Sequence, residues 1–161
     1  MEVITAKTAK LFAAACEIGA VVAEKPKEVS QSLAEFGLKF GIGFQLIDDL
    51  MDYTASDEAI GKTVGDDFRE GKVTLPVLLT YQKGTKKERE FWKKTIEDGI
   101  QQKGDLDIAI SLIKQYGVFD EIKSLAKNYI SEGCDELAIF PKGKAREALK
   151  EAASFCVNRT H

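Results

Sequence analysis

The hydrophobic residues of this chain recur at intervals of three and four, the spacing that predicts amphipathic helices. Pro26 interrupts this pattern after the first helix, and Ser30 is a candidate N-cap for the second. The predicted helices cover residues 5–23, 30–53, 76–81, 105–116, 118–130 and 142–158, with a charged helix around Phe91 and Trp92. The first helix has an apolar stripe, which we expect to be buried, of Leu11, Ala15, Ile18 and Val22.

The fold class follows from the same pattern. Only residues 73–80 favour a strand by composition, and Pro76 within them argues against one. Gly37 and Gly41 are four residues apart, a spacing that lets a neighbouring helix pack closely. We therefore predict an all-α helical bundle that forms a single domain over residues 1–161. In its last helix we expect an inward face of Ala145, Leu149, Ala152 and Cys156.

Charge and length exclude several classes of protein. The formal charge of −3 and the pI near 5.4 leave no basic surface of the kind that binds nucleic acid. The most apolar stretch, residues 40–47, is too short to cross a bilayer. Glu2, Lys7 and Lys10 interrupt the amino end, which is unlike a signal peptide. We expect a cytoplasmic protein with no transmembrane segment.

The cysteine and histidine content narrows the chemistry further. Cys16, Cys134 and Cys156 are widely spaced, odd in number and next to apolar residues, which predicts reduced, packed thiols. The only histidine is His161. This composition argues against a zinc site and against a Ser-His-Asp triad.

A group of carboxylates lies in an otherwise apolar segment that is predicted to be helical. Because a helix turns about 100° per residue, Gln45, Asp48 and Asp52 fall on one side of it. Asp49 lies about 100° from Asp48 on the same helix. Gly41 leaves open space on the side that carries the acids.

The charge on these acids suggests a cation. Concentrated negative charge beside a core is costly unless something positive joins it. Mg²⁺ is the natural partner, because it binds carboxylates together with substrate phosphates. A solvated helix end is the plainer alternative, whereas an EF-hand fits poorly because its loop needs alternating acids and a central glycine. The apolar residues before the acids favour a metal site at Asp48, Asp49 and Asp52.

The segment after the acids, residues 54–71, is polar and contains several glycines. It predicts a long loop, and long loops in compact domains are often functional. Lys62 follows Gly61 and Lys72 follows Gly71, so the backbone can approach a ligand beside each ammonium. Acids that bind a metal, followed by lysines on a loop, suit a diphosphate that departs as a leaving group.

Residues 36–76 resemble the signature of the trans-isoprenyl diphosphate synthases. A Gly-Phe-Gln lead-in precedes that family's second aspartate-rich motif, DDxxD, at residues 48–52, and Gly-Lys and Gly-Lys-x-Thr-x-Pro follow. Lys7 and Thr8 resemble the family's Lys-Thr pair one helix earlier. The sequence of residues 65–76 is most similar to that of the bacterial synthases that make octaprenyl or decaprenyl diphosphate for quinone side chains.

The resemblance implies a role for each matching residue. Phe44 would line the isopentenyl pocket, and Lys72 would close over the allylic diphosphate. The reaction would ionise an allylic diphosphate, join it to isopentenyl diphosphate and release a proton. Mg²⁺ would bridge to the allylic diphosphate from Asp48, Asp49 and Asp52. The allylic substrate or its diphosphate would also be contacted by Lys7, Thr8, Gln45 and Lys62.

The chain also departs from this family. Its motifs correspond to the C-terminal half of a longer protein, and the first aspartate-rich motif and the basic segment near it are missing. We therefore expect a fragment of a synthase that forms homodimers at full length, with little activity in isolation. The alternatives are a non-catalytic subunit and a helical interaction module. Arg159 resembles a basic residue that closes over the active site in some members, but a charged tail is the expected meaning.

Overall fold

The computed structural model describes residues 1–54 and 64–159. All regular structure in these residues is helical and no strand occurs among them, which confirms the predicted all-α class. They form two compact units, one of residues 1–47 and 123–159 and one from the described part of residues 48–122. The single domain over residues 1–161 stays a prediction.

Helical segments follow one another closely along the chain. A π-helical segment, Thr5–Ala9, joins the first two α-helices. A second one, Lys93–Glu97, follows Trp92, and a 3₁₀ turn, Leu137–Ile139, follows Glu136. The α-helices are α1 (Glu2–Ile4), α2 (Lys10–Val22), α3 (Lys27–Met51), α4 (Asp66–Arg69), α5 (Leu75–Lys83), α6 (Lys86–Trp92), α7 (Asp105–Gln115), α8 (Val118–Glu136) and α9 (Lys144–Asn158).

In the first unit, the amino-terminal helices and α3 approach each other through their backbones. A Cβ atom added at Gly37 would lie 2.4 Å from the carbonyl oxygen of Phe12. One added at Gly41 would lie 2.7 Å from the Cα atom of Ala9. The close packing predicted from the glycine spacing is therefore present, and the order of the contacts shows that the two segments run antiparallel.

The apolar stripe predicted for the first helix faces the wrong way. Leu11 is 75% exposed and Val22 is 79% exposed, whereas Ala9 and Ala20 are fully or almost fully buried. Ala15 and Ile18 are exposed as well. The physical reason is the close approach to α3, since only small side chains fit between backbones at that distance. Leu11, Ile18 and Val22 are consequently left exposed to solvent.

The start of α3 also differs from its prediction. The helix begins at Lys27, directly after Pro26, so Ser30 lies inside the first turn and does not cap it. The Ser30 hydroxyl instead donates a 2.9 Å hydrogen bond to the carbonyl of Lys27. Proline suits a helix start because its fixed φ is already helical and its missing N–H would have no partner there.

Helix α9 buries a different face from the one predicted. Cys156 is buried as expected, but Ala145, Leu149 and Ala152 are exposed. The amino-terminal half of the helix borders an apolar pocket, and Ala145 and Leu149 line that pocket. The buried residues of α9 are Ala153, Cys156 and Val157.

The second unit has its own apolar core. Helix α5 has Pro76 in its first turn, as predicted. Helix α6 begins with a capping box, in which the Thr85 side chain and the Glu88 side chain each accept a hydrogen bond from the other residue's backbone N–H. The core of this unit contains Leu50, Tyr53, Phe68, Val77, Trp92, Ala109, Leu112, Ile113, Val118 and Ile122.

Across the described residues, no helix combines the length and the hydropathy that a bilayer-spanning segment requires.

Substitution of Gly37 tests the close helix approach. Gly37→Ala should lower the free energy of unfolding by about 1–3 kcal/mol, because the added methyl group meets backbone atoms that cannot move aside locally. Gly19→Ala is the matched control in α2, where an added Cβ has no atom within 4 Å. This control should raise stability by about 0.5–1 kcal/mol, because alanine favours the helix. Urea denaturation of both variants checks the prediction, and equal effects would contradict it.

Candidate functional site

Helix α3 supplies the first two acids of the predicted metal motif. Asp48 and Asp49 lie in its last turn, which ends at Met51. Asp49 is only 5% exposed, while Asp48 is partly exposed. Both acids make further interactions within the protein. The apolar character of the helix thus draws one carboxylate out of solvent, where its charge is costly unless compensated.

In the first unit, Thr8 and Gln45 are brought together. The Thr8 hydroxyl donates a 2.6 Å hydrogen bond to Oε1 of Gln45. The contact follows from the antiparallel approach at Ala9 and Gly41, which are close neighbours of the pair. Lys7 precedes Thr8 on the π-helical segment and is exposed. Two of the predicted substrate contacts therefore touch, and a third is adjacent in sequence.

Phe44 has an unexpected cationic neighbour in the same unit. The guanidinium carbon of Arg159 lies 4.4 Å from the centroid of the Phe44 ring, well within cation–π range. The centroid of the Phe12 ring also lies 5.4 Å from that of the Phe44 ring. Arg159 is therefore not a residue of a solvated tail, as the sequence suggested. That Phe44 lines an isopentenyl pocket stays a prediction.

Asp52 lies in the turn after α3, in the second unit. Its Oδ2 atom accepts a 3.1 Å hydrogen bond from the backbone N–H of Asp67. Its carbonyl oxygen accepts a 2.8 Å hydrogen bond from the N–H of Gly65. Burial, followed by the negative charge of Asp67, raises the pKa of Asp52 to about 6. This environment thus destabilises the ionised carboxylate of Asp52, and a bound cation would stabilise it.

Lys72 is held on the same short segment. Its ammonium forms ion pairs with Glu70 at 2.7 Å and with Asp67 at 2.9 Å. The hydrogen bonds to Glu70 and Asp67 raise the pKa of Lys72. The side chain remains about half exposed, so the ammonium is available to an anionic ligand in solvent. Asp52, Asp67 and Lys72 therefore form one connected chain of contacts.

Two parts of the predicted site remain untested. Gly61 and Lys62 lie outside the described residues. Within residues 1–54 and 64–159, no group of three or more His, Cys, Asp or Glu side chains is arranged to bind a metal ion. The magnesium site at Asp48, Asp49 and Asp52 stays a prediction.

Asp67 is not among the residues that the motifs single out. The sequence shows an Asp66-Asp67 pair before Lys72, but the residues after it do not repeat the DDxxD pattern. Its contacts with Asp52 and Lys72 depend on how the intervening chain turns. The only signal available in the sequence was its position five residues before Lys72.

Comparison with known proteins identifies the family. Residues 1–113 match the family described as Polyprenyl synthetase. This chain belongs to the polyprenyl synthetase family. The resemblance to trans-isoprenyl diphosphate synthases is therefore confirmed, and the matched residues include the DDxxD motif and both Gly-Lys pairs that follow it.

Individual members of the family match over the whole chain. The geranylgeranyl diphosphate synthase of Methanosarcina mazei is 35% identical over 100% of this chain and 48% of its own length. The octaprenyl diphosphate synthase of Haemophilus influenzae is 33% identical over 100% of this chain and 49% of its own length. The chain thus spans about half the length of these curated relatives.

A solved structure shows the same fold. The crystal structure of a polyprenyl synthase from Caulobacter crescentus CB15, complexed with calcium and isoprenyl diphosphate, matches with a TM-score of 0.93 at 46% identity. The match covers 98% of this chain and 48% of that one. The all-α fold of the isoprenoid synthases is therefore confirmed for this polyprenyl synthetase chain.

The hydrogen bond between Thr8 and Gln45 can be tested by its contribution to stability. Thr8→Val removes the hydroxyl but keeps the shape of the side chain, so the free energy of unfolding should fall by about 1 kcal/mol. Thr8→Ser keeps a hydroxyl and should lose less. Urea denaturation measures both, and an equal loss in the two variants would show that the hydrogen bond is not the cause.

The raised pKa of Asp52 makes stability depend on pH. The pKa is about 6 in the folded chain and 3.8 without the protein environment, so the folded state holds the proton more tightly. The resulting stabilisation is fully present below pH 3.8 and is lost as pH rises through about 6. Asp52→Asn should lack this decline. Urea denaturation across this range compares the two chains, and a constant difference between them would refute the assignment.

Proposed function

We propose that this chain forms part of a trans-prenyltransferase, which adds isopentenyl diphosphate units to an allylic diphosphate in a Mg²⁺-dependent reaction. Family membership supports the reaction class, because its relatives are named as prenyl diphosphate synthases. The structural observation that carries the proposal is the connected group of Asp52, Asp67 and Lys72. It combines an acid suited to a metal with an ammonium suited to a diphosphate.

The residues of the motif fit a magnesium ion. Asp48, Asp49 and Asp52 offer only oxygen atoms, the ligands that Mg²⁺ prefers. Asp49 is buried, and burial, followed by the charge of Asp67, raises the pKa of Asp52, so a bound cation would stabilise the ionised form of Asp52. The calcium in the Caulobacter crescentus structure is likewise a divalent cation that prefers oxygen ligands. Mg²⁺, when bound, would neutralise charge on the diphosphate as it departs.

The basic and polar residues would bind and orient the diphosphate. Lys72 would exchange its contacts with Asp67 and Glu70 for diphosphate oxygens, and Lys7 and Lys62 would donate to the same group. Thr8 and Gln45 hold one another in place, so either can present a polar atom without further loss of side-chain freedom. These positive charges and hydrogen bonds would stabilise the leaving group while the carbon–oxygen bond breaks.

The second substrate would supply the new carbon–carbon bond. The double bond of isopentenyl diphosphate attacks the allylic carbocation that remains after the diphosphate leaves, and loss of a proton restores a double bond. We assign Phe44 to the isopentenyl side of this reaction. Its ring is in contact with the Arg159 guanidinium, so an aromatic surface and a positive charge lie together there.

The identity of the product and the state of the whole protein are further parts of the proposal. The sequence of residues 65–76 favours a long-chain octaprenyl or decaprenyl product for quinone side chains. We propose that the whole protein is cytoplasmic and homodimeric. Because the chain spans about half of its relatives, we expect it to bind a diphosphate but to turn over poorly alone.

A helical interaction module is the second candidate. The exposure of Leu11, Ile18 and Val22 favours it, because apolar residues on one helix face often mark a protein contact. The two candidates differ in their response to ligands. A diphosphate-binding site predicts a higher melting temperature when Mg²⁺ and pyrophosphate are added together, whereas an interaction module predicts no change.

Removal of one acid tests the proposed site directly. Asp48→Ala should abolish Mg²⁺-dependent binding of inorganic pyrophosphate, measured by calorimetry on the full chain, because a ligand of the metal is lost. Its far-UV circular dichroism should match that of the wild type. Asp107→Ala removes an exposed acid from α7 and should bind as the wild type does. Unaltered binding by Asp48→Ala would remove the acid from the mechanism.

A further inference from the structure

We propose that Asp67 is a positioning residue of this site, which aligns the Asp52 carboxylate through its backbone N–H and restrains the Lys72 ammonium through its side chain. The inference rests on the proposed function and extends it to a residue outside the DDxxD motif. Both contacts lie within the second unit.

Asp67 connects the two charged groups directly. Its N–H lies 3.1 Å from Oδ2 of Asp52, and its own Oδ1 lies 2.9 Å from Nζ of Lys72. Its carbonyl oxygen also accepts a 2.9 Å hydrogen bond from the backbone N–H of Lys72. Asp67 thus contacts both the carboxylate of Asp52 and the ammonium of Lys72.

The neighbouring acids do not make this double connection. Asp66 pairs with Arg69 at 2.9 Å, on the solvent side of the same short helix. Glu70 pairs with Lys72 but its side chain is 61% exposed, against 20% for Asp67. An ion pair that is less exposed to solvent is less screened and orients its partners more firmly. Two acids therefore hold the Lys72 ammonium, and Asp67 is the less exposed of the two.

The backbone around Asp67 is fixed by the core of the unit. Phe68, the next residue, is buried, and its ring makes an edge contact with that of Trp92 at a centroid distance of 6.4 Å. The carbonyl of Phe68 accepts a 2.7 Å hydrogen bond from the Gln101 side chain. Because this segment cannot rotate freely, the direction of the Asp67 N–H is set before any ligand binds.

A glycine with a left-handed backbone conformation lies on each side of this segment. Gly65 has φ +83° and Gly71 has φ +68°, a conformation that L side chains rarely adopt. A Cβ atom at Gly65 would also lie 2.5 Å from the Leu106 side chain. These turns let the chain form α4 between Asp52 and Lys72, so that Asp67 contacts both residues. The geometry is therefore specified by the sequence of the turn.

The charge of Asp67 has two consequences for ligand binding. It adds negative potential beside Asp52, which strengthens the attraction of a divalent cation. It also keeps the Lys72 ammonium beside the acids, so that a diphosphate bridging metal and lysine meets both at once. Loss of the charge should weaken both, while the backbone hydrogen bond to Asp52 is kept.

The test compares near-isosteric variants of the full chain. Asp67→Asn should weaken Mg²⁺-dependent binding of inorganic pyrophosphate about tenfold, the lower end of the loss expected when a partner of a metal ligand is removed. Asp66→Asn is the matched control, because the Asp66 carboxylate pairs with Arg69 and the substitution keeps the backbone N–H that Asp66 donates to Asp52. It should change affinity less than about twofold. Isothermal titration calorimetry at fixed ionic strength measures all three affinities.

A second readout separates positioning from a general loss of structure. The side-chain ¹⁵N resonance of the Lys72 ammonium, measured without ligand, should shift in Asp67→Asn and stay unchanged in Asp66→Asn. Binding losses from Asp67→Asn and Lys72→Met should be non-additive in the double variant, because both break one contact. If Asp67→Asn fails to fold, Asp67→Glu, which keeps the charge, should bind within about threefold of the wild type.

The outcomes distinguish this inference from the proposed function. A wild-type chain that takes up no pyrophosphate with Mg²⁺ contradicts the proposed function itself. A wild-type chain that binds, with equal affinity in Asp67→Asn and an unchanged Lys72 resonance, overturns the role of Asp67 alone. Additive losses in the double variant would likewise overturn it.

Discussion

The backbone contact between the amino-terminal helices and α3 is the constraint on which the first unit depends. Glycine at positions 37 and 41 removes the side chains that would keep the helices apart. The resulting short distance decides which residues fit between them, so that Ala9 and Ala20 are buried while Leu11 and Val22 are exposed. It also brings the hydroxyl of Thr8 to the amide of Gln45. Packing and the polar contact thus have one physical cause.

In the second unit, the proposed function depends on the charges around Asp52. Asp52 is partly buried beside another acid, which is unfavourable in the isolated chain and raises its pKa. Hydrogen bonds from the backbone N–H groups of Asp66 and Asp67 offset only part of this cost. Groups held in such an environment are typical of sites that bind a charged ligand. A divalent cation followed by a diphosphate would complete the balance.

Residues that serve a proposed site and residues that serve the fold are closely interleaved along the chain. Phe68 fills the core of the second unit, while Asp67 beside it faces the charged group. Leu46 and Leu50 are buried on α3, while Asp49 between them holds its carboxylate near that core. The rigid apolar neighbours fix the polar residues, so little side-chain freedom remains to be lost when a ligand binds.

The sequence by itself determined the helical class, the helix order, the close approach at Gly37 and Gly41, and membership of the family, because these follow from local periodicity and from motifs in fixed order. It did not determine which helix face is buried. Leu11 and Leu149 fit a helical stripe equally well inside or outside, and only contacts with other elements decide between them. The tertiary structure alone placed Arg159 on the Phe44 ring and Asp67 between Asp52 and Lys72. The contacts of Arg159 with Phe44 and of Asp67 with Asp52 join residues distant in sequence, and no local pattern encodes the path of the chain that brings them together.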